Sequence, residues 1–449
     1  MENTKEIIQS LIDGAVKEIM SLIVEDLKKL KFTDIVHITQ NAVNKLGVNL
    51  VEQIVKIFDT NYNSQRDKHS VILRHTKTRK MVSEMGELNL TRRLYFNKDT
   101  KKYFFAVDEL LDIEKHSRIE KELKVKLINN ATLTSYGKTS KLSNNCVSRQ
   151  TVHNLVMGVA PKNLEIQIGD IKRVKEIYIE ADEDHVNLNT GKGAEVKLVY
   201  VHEGRRRVNC SRTELINVRY FASISGGNDI WYDVSDYIYS QYDMRGVEIH
   251  IFGDGANWIK RGLDVFPTAQ YHLDKFHVYK SVTDVTAGQK MLRNQIINSL
   301  KTGDGKSLHT LYSNRIKAVS KVRMRNRLSD SLQYLENNFD YIDLTSDNKC
   351  SAEGHISHVL SERLSSRPMA WSLAGVKKMA QLRAFYFNGG DFSNLYQGRL
   401  KTIEENSKSC NYIMQKGRKV DHTISGGRLV GLDAVYDEVG KFLHYIVKK

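Results

Sequence analysis

Apolar residues recur at helical spacing through the first 65 residues: Ile8, Leu11 and Ile12, then Ile19, Leu22 and Ile23, and later Val51, Ile54, Val55 and Phe58. Positions three and four apart share one side of a helix, so region 1–65 predicts helices with an apolar stripe. Such a stripe serves either packing on its own domain or a dimerisation arm. Residues 66–110 change period. A basic run, RDKHSVILRHTKTRK, leads to Met85-Gly86, a turn between two strand patterns. Leu88, Leu90, Leu94 and Phe96 alternate with Asn89, Arg93 and Tyr95 at a period near two, as on a half-buried strand. This small basic β-unit suits a phosphate backbone or a solvated sheet face.

Residues 111–165 return to helical spacing. Ile119 to Asn129 and Leu133 to Leu142 form two patterns, followed by NNCVSRQTVHNLVMGV. Ser148 is a plausible N-cap, and Val152, Leu155, Val156 and Val159 make a single stripe. Arg149, Gln150, His153 and Asn154 fall off that stripe at the helix start. Those side chains, at that end of a helix, enter a major groove in a helix-turn-helix; a plain three-helix unit has the same pattern.

After a linker reading at Pro161 to Asp170 the pattern becomes β. VKEIYIEAD, AEVKLVYVHEG and INVRYFASIS predict three strands, Ile230 to Tyr242 a helix, VEIHIF a fourth strand, and AQYHL a fifth after a short helix. Three strands, helix, strand, helix, strand is the element order of an RNase H-like core. The charged helical stretch at about 280–345 lacks strand punctuation and predicts a helical insertion. A helix follows within 350–388, completing an α/β domain over 170–390. Region 391–449 carries little pattern.

Composition narrows the partners. Lys and Arg number 68 against 53 Asp and Glu, a net charge of +15, which favours a polyanion such as nucleic acid. Only three prolines argue against long disordered linkers. Cys146, Cys210, Cys350 and Cys410 form no CxxC pair, so a zinc ribbon is not expected and reduced thiols are. The charged N-terminus predicts neither a signal peptide nor a membrane span, hence a cytoplasmic protein.

Candidate metal-ligating acids occur in three places. Glu180, Asp182 and Asp184 close the first strand pattern, Asp254 follows the fourth in Gly-Asp-Gly, and Glu353 lies in SAEGHISHVLSERLSSRP. Carboxylates from separate elements can hold a pair of magnesium ions, which suits phosphodiester chemistry. If the first strand alternates, Tyr178, Glu180 and Asp182 share a face. Alternation leaves Asp182 and Asp184 both open, with Asp182 nearer the strand. On an ideal helix Ile356, Leu360 and Leu364 lie at about 300°, 340° and 20° from Glu353, inside the apolar stripe, while Glu362 lies about 180° away. A core-facing acid is costly unless bound, which favours Glu353. Asp254 alone is as good a turn residue as a ligand. Asp274 and His277, D-x-x-H after the fifth strand, suit a structural brace more than a ligand pair. His185, His355 and His358 lack zinc-protease spacing.

The strings IEADEDHV, KLVYVHEG, GDGANWIK, LDKFH and SAEGHISHVLSERLSSRPMAWS resemble bacterial insertion-sequence transposases of the ISLre family, relatives of Mutator-like transposases, over about residues 75 to 390. The resemblance implies an RNase H-like mixed-sheet catalytic domain with a helical insertion, and an acidic triad at Asp182, Asp254 and Glu353. Asp274 to His277 fits the D-x-x-H form of a motif those enzymes carry. It further implies two Mg²⁺ (or Mn²⁺) ions, hydrolysis at a transposon end and attack of the freed 3′-hydroxyl on target DNA. The expected partners are terminal inverted repeats and target DNA, with a homo-oligomer on DNA and no membrane. As basic residues, Lys260, Arg261, Arg363 and Arg367 suit contacts with phosphates and suit a solvated charged surface equally. The rival expectations are a catalytically idle DNA-binding regulator and a metal-dependent nuclease without strand transfer.

Overall fold

The computed structural model describes residues 2–25, 30–144, 146–160, 169–210, 212–224, 228–346 and 350–395. The expected linker lies outside these for residues 161–168, as does the expected C-terminal region from residue 396 on.

Two long helices open the chain, α1 (Glu2–Glu25) and α2 (Phe32–Gln65). They lead into an antiparallel three-stranded sheet, β1 (Val71–Ser83), β2 (Gly86–Asn97) and β3 (Lys102–Phe105). The β1–β2 turn centres on Glu84 and Met85, one residue before the expected Met85-Gly86, and Gly86, at a φ of 137°, opens β2 paired with Ser83. Val55 of α2 packs with Met81, Leu88, Leu90 and Val107. Burial alternates through Leu88, Leu90 and Arg92, and the expected alternation fails beyond that. Arg92 continues the buried face, paired with Asp108 and 4.2 Å from the Phe105 ring, and then Tyr95 is buried in place of Leu94 and Phe96. The outer β1 positions Arg74, His75 and Lys77 are exposed.

A short helix, α3 (Ala106–Leu110), precedes three helices, α4 (Lys121–Leu133), α5 (Tyr136–Leu142) and α6 (Arg149–Gly158). Ser148 caps α6 by accepting from Thr151 N at 3.2 Å, and Val152 and Val156 are fully buried.

The largest sheet has the order β10-β9-β4-β5-β8. It comprises β4 (Glu176–Asn187), β5 (Gly193–His202), β8 (Arg219–Ser223), β9 (Glu248–Gly253) and β10 (Gln270–Leu273). β4, β5 and β8 run antiparallel in succession, and β9 and β10 lie parallel to β4. The protein is therefore mixed α/β around a mixed sheet. A small hairpin, β6 (Arg205–Arg207) and β7 (Thr213–Leu215), interrupts the β5–β8 connection and has no counterpart in the sequence expectation.

Helix α7 (Asn228–Gln241) precedes β9, and α8 (Asn257–Lys260) and α9 (Gly262–Val265) precede β10. Four helices then follow, α10 (Lys275–Thr286), α11 (Lys290–Thr302), α12 (Gly305–Ala318) and α13 (Val322–Asn337), where a helical insertion was expected. Ile177, Ile179 and Ala181 on one face of β4 join a core with Trp231, Val278, Tyr312 and Leu335 of these helices. The chain then forms α14 (Ala352–Ile356), a π-turn over Ser357–Ser361 and α15 (Glu362–Leu364), and ends its described part with α16 (Leu373–Phe387) and a 3-10 turn. α14 lies against β4, and α16 against β8. Cys146, Cys210 and Cys350 are free, and among the described residues no helix is long and apolar enough to cross a membrane.

Candidate metal centre

The first strand does not stop at the acids as expected. β4 continues to Asn187 through its pairing with β5, whereas its parallel neighbour β9 ends at Gly253. The last β4–β9 pair is Glu180 with Phe252, so Asp182 lies just beyond the point where β9 turns away into Asp254. The stop that exposes a carboxylate is thus that of β9.

Asp182, His277 and Glu353 each offer a ligand atom, and these atoms all lie within 4.8 Å of one another. They come from a strand, the first turn of α10 and the first turn of α14. Burial, and then the negative charges of Asp254 and Glu353, push the Asp182 carboxyl up to about 6, against the Glu183 N–H donated to its Oδ1 at 2.8 Å and against His277. Asp254 therefore acts on the same centre, although it lies outside the close trio. Its own side chain accepts from Ala256 N at 2.9 Å, and its carbonyl accepts from the Tyr334 hydroxyl of α13 at 2.8 Å. Gly255, at a φ of +92°, donates to the Tyr271 hydroxyl at 3.0 Å, and a Cβ there would meet Asn338 Oδ1 at 2.5 Å.

His277 was read as a brace, yet its ring stands in the cluster. Asp274 caps α10 by accepting from Phe276 N at 3.0 Å, and its Oδ2 lies 3.9 Å from His277 Nε2. Asp184, the other contender for the first acid, is buried and accepts from Ser365 Oγ at 2.8 and 2.9 Å. Burial raises its pKa, and it takes no part in the trio.

Glu353 is exposed, which corrects the helical-wheel premise. The buried positions of this segment are Ala352, Ile356, Val359, Leu360, Arg363 and Leu364. The stripe runs beside Glu353, and the π-turn widens the helix, so ideal angles do not carry across it. Glu362 points elsewhere, 3.1 Å from Arg383.

Glu180, one pleat before Asp182, is only 1% exposed. It accepts from Tyr200 OH at 2.6 Å, His202 Nε2 at 2.9 Å, Arg205 at 2.6 Å, and Ser351 N and Oγ at 2.5 and 3.1 Å. Burial alone would raise its pKa, but His202, Arg205 and Tyr200 outweigh it and hold the carboxyl down at about 2. Sequence reasoning missed these partners. The one signal was in KLVYVHEG, where Tyr200 and His202 alternate with core Val199 and Val201. The His355 ring packs at a tilt against Tyr200, with centroids 4.6 Å apart, and bonds Tyr220 OH at 2.7 Å; burial holds its pKa at about 4, so it is neutral at pH 7.

The donor set suits a divalent cation. Two carboxylates and an imidazole, with the Asp254 carboxylate acting on Asp182, fit a hard ion of the magnesium class and, through the nitrogen, manganese better still.

The residues expected at DNA divide. Arg149, Gln150 and Asn154 are exposed and His153 partly so, with Gln150 bonded to Asn154 at 2.9 Å. Arg261 and Arg367 are exposed, and Lys260 lies over the Tyr341 ring at 5.1 Å. Arg363 is a correction. It is 3% exposed, donates Nε to Ala131 O at 3.0 Å and lies 4.8 Å from the Trp371 ring, so its charge faces the interior and not a phosphate.

Residues 25–400 match the model of the Uncharacterised protein family (UPF0236). A UPF0236 protein of Caldanaerobacter subterraneus subsp. tengcongensis, TTE2489, is 36% identical over 85% of this chain and 84% of its own. Another from that organism, 35% identical over 87% of this chain and 85% of its own, bears a name that joins eleven locus designations, from TTE0033 to TTE2212. A UPF0236 protein in the vanSb 3'region of Streptococcus gallolyticus is 23% identical over 82% of this chain and 86% of its own.

Proposed function

The chain belongs to the uncharacterised protein family UPF0236, and for this member we propose the function of a DDE transposase, a metal-dependent enzyme that cleaves DNA at the ends of an insertion sequence and joins them to a target. The observation that carries the reading is the convergence of Asp182, Glu353 and His277 within 4.8 Å, with Asp254 acting electrostatically on Asp182. The sheet order supports an RNase H-like core, since strands pair as β10-β9-β4-β5-β8 with only the last two antiparallel to their predecessors in the meander. The sharing of one relative's name by eleven loci also supports it, because a mobile sequence leaves copies of its own gene. The +15 charge and the exposed polar face at the start of α6 suit DNA, with α4 to α6 as a helix-turn-helix.

On this reading Asp182, Asp254 and Glu353 hold the cations, two Mg²⁺ or Mn²⁺, and His277 completes the inner set. When bound, such ions activate a water or 3′-hydroxyl and neutralise charge on the departing oxygen. The chain's own work is to bring three carboxylates together against burial and their mutual repulsion, and burial first, then the charges of Asp254 and Glu353, raises the pKa of Asp182. Asp182 binds in its ionised form, and the Glu183 N–H orients it. The exposure of Glu353 leaves one side of the cluster open to a nucleic-acid backbone. No side-chain nucleophile is required.

The test uses labelled DNA carrying the sequences that flank this gene, with Mg²⁺, the wild type and Asp254→Asn. Wild type is expected to nick and then join ends, and Asp254→Asn to bind equally but lose cleavage on the order of a thousandfold. Cleavage by Asp254→Asn at the wild-type rate would remove that acid from the site. Cleavage without joining would favour a nuclease, and binding without cleavage a DNA-binding regulator.

A further inference from the structure

Glu180 is not needed by the chemistry proposed above, yet it is the most heavily bonded carboxylate described beside the cluster. Its oxygens accept five hydrogen bonds from four residues of three elements or connections: Tyr200 and His202 on β5, Arg205 on β6, and Ser351 immediately before α14. Ser351 is bound twice, through its backbone N–H and its hydroxyl, and Tyr200 OH lies a further 3.1 Å from that hydroxyl. Arg205 also reaches Ser351 Oγ, at 3.2 Å. Glu353 follows Ser351 by two residues, and Asp182 follows Glu180 by two. One carboxylate therefore clamps together the two chain segments that present two of the clustered acids.

We propose that Glu180 is a positioning residue: by holding Ser351 against β4 it fixes the separation of Asp182 from Glu353 and so sets the cation affinity of the cluster. The inference rests on the metal-centre reading for its effect on affinity, and on geometry alone for the clamp. Two repelling acids do not approach each other unaided, so something must hold α14 at the strand. Packing by Ala352 and Ile356 gives it a floor, but apolar contacts are tolerant of sliding, whereas a backbone N–H and a hydroxyl of one residue that both donate to Glu180 Oε2 fix register. A fully satisfied buried carboxylate commonly contributes specificity of arrangement more than stability, since an apolar replacement of the whole group can be as stable. Residues behind a metal site typically change affinity by about 10–100-fold when lost.

The experiment compares full-length wild type, Glu180→Gln, Glu180→Asp and Tyr200→Phe in two measurements: amide hydrogen exchange without metal, and Mn²⁺ titration of the folded protein well below its melting temperature. Glu180→Gln is expected to speed exchange over 351–356 by about tenfold and to weaken Mn²⁺ by about tenfold. Tyr200→Phe, which removes one donor and keeps the charge, is expected to shift both the same way by about threefold, and serves if Glu180→Gln does not fold. Glu180→Asp, which keeps the carboxylate, is expected to fall between wild type and Glu180→Gln. A glutamate that matters only for folding would lower the melting temperature and leave exchange at 351–356 and Mn²⁺ affinity of the folded variants unchanged, which overturns the proposal. If the wild type itself binds no Mn²⁺, the metal reading fails, and the exchange measurement alone decides whether the clamp exists.

Discussion

Glu180 and Asp182 stand on the same strand and the same face, two residues apart, and meet opposite surroundings. Around Glu180 every acceptor position is met by a donor, and its pKa sits near 2. Around Asp182 there is one backbone donor, an imidazole and two further carboxylates, and its pKa rises to about 6. Depth does not make the difference, since the more deeply buried group is the more acidic one. What differs is the sign of the neighbours: burial penalises both charges, and only Glu180 is surrounded by groups that repay it. A carboxylate placed among carboxylates costs the metal-free fold stability, and that cost has a use only if a cation arrives. Glu180 thus has its donors within the fold, whereas the cluster around Asp182 is short of positive partners.

The contrast can be broken most severely at Glu180. Glu180→Gln is expected to destabilise the protein by about 3–5 kcal/mol in urea melts at pH 7, because an amide cannot accept from all of those donors, and the buried His202 and the half-buried Arg205 lose their charged partner. The sign follows from the lowered pKa: Glu180 stabilises the fold above the ordinary carboxylate range, and that contribution disappears as pH falls toward 2. At Asp254 the constraint is steric. Gly255→Ala is expected to cost about 1–3 kcal/mol, since its φ of +92° disfavours a side chain and the new Cβ meets Asn338; an unchanged melting temperature would show that the turn relaxes.

Asp182→Asn should act in the opposite direction to Glu180→Gln. Its folded pKa is raised from 3.8 to about 6, so the ionised group costs stability above that pH, and the amide should stabilise the metal-free protein by about 1–2 kcal/mol at pH 8. Below about pH 4 both states carry the neutral acid and the gain should vanish. The smallest effect is expected from Ser365→Ala. It removes the hydroxyl bonded to Asp184 and should cost about 1 kcal/mol in a thermal melt while leaving Mn²⁺ affinity as in the wild type. A large loss of affinity there would move Asp184 into the site.

The sheet was legible because its strands are short apolar runs with clear punctuation. The described residues of 176–273 supply the expected three strands, helix, strand, helix and strand, with the small β6–β7 hairpin added and the short second helix divided into α8 and α9. Ser148 as a cap and, to within one residue, the Met85-Gly86 turn were readable for the same reason, since both depend on local chemistry. The strand end was misread because pairing is non-local: β4 outlasts β9 only by leaning on β5. Glu353 was selected by an ideal wheel that a π-turn does not obey, and Arg363 looked like a surface cation because nothing in its neighbourhood announces the Ala131 carbonyl, 232 residues away, that it meets. His277 was placed beside the cluster rather than in it, since sequence spacing cannot tell which side of α10 meets β4.

The most direct test of the account is a calorimetric titration of Mn²⁺ into metal-free wild type and Asp182→Asn at pH 7.5, a value chosen about 1.5 units above the raised pKa of Asp182. Saturable binding by the wild type is expected, with release of protons as the mixture is made more acidic toward pH 6, and a loss of at least about a hundredfold in affinity in Asp182→Asn. Equal Mn²⁺ binding by the two proteins, or none by the wild type, would contradict the metal-centre reading.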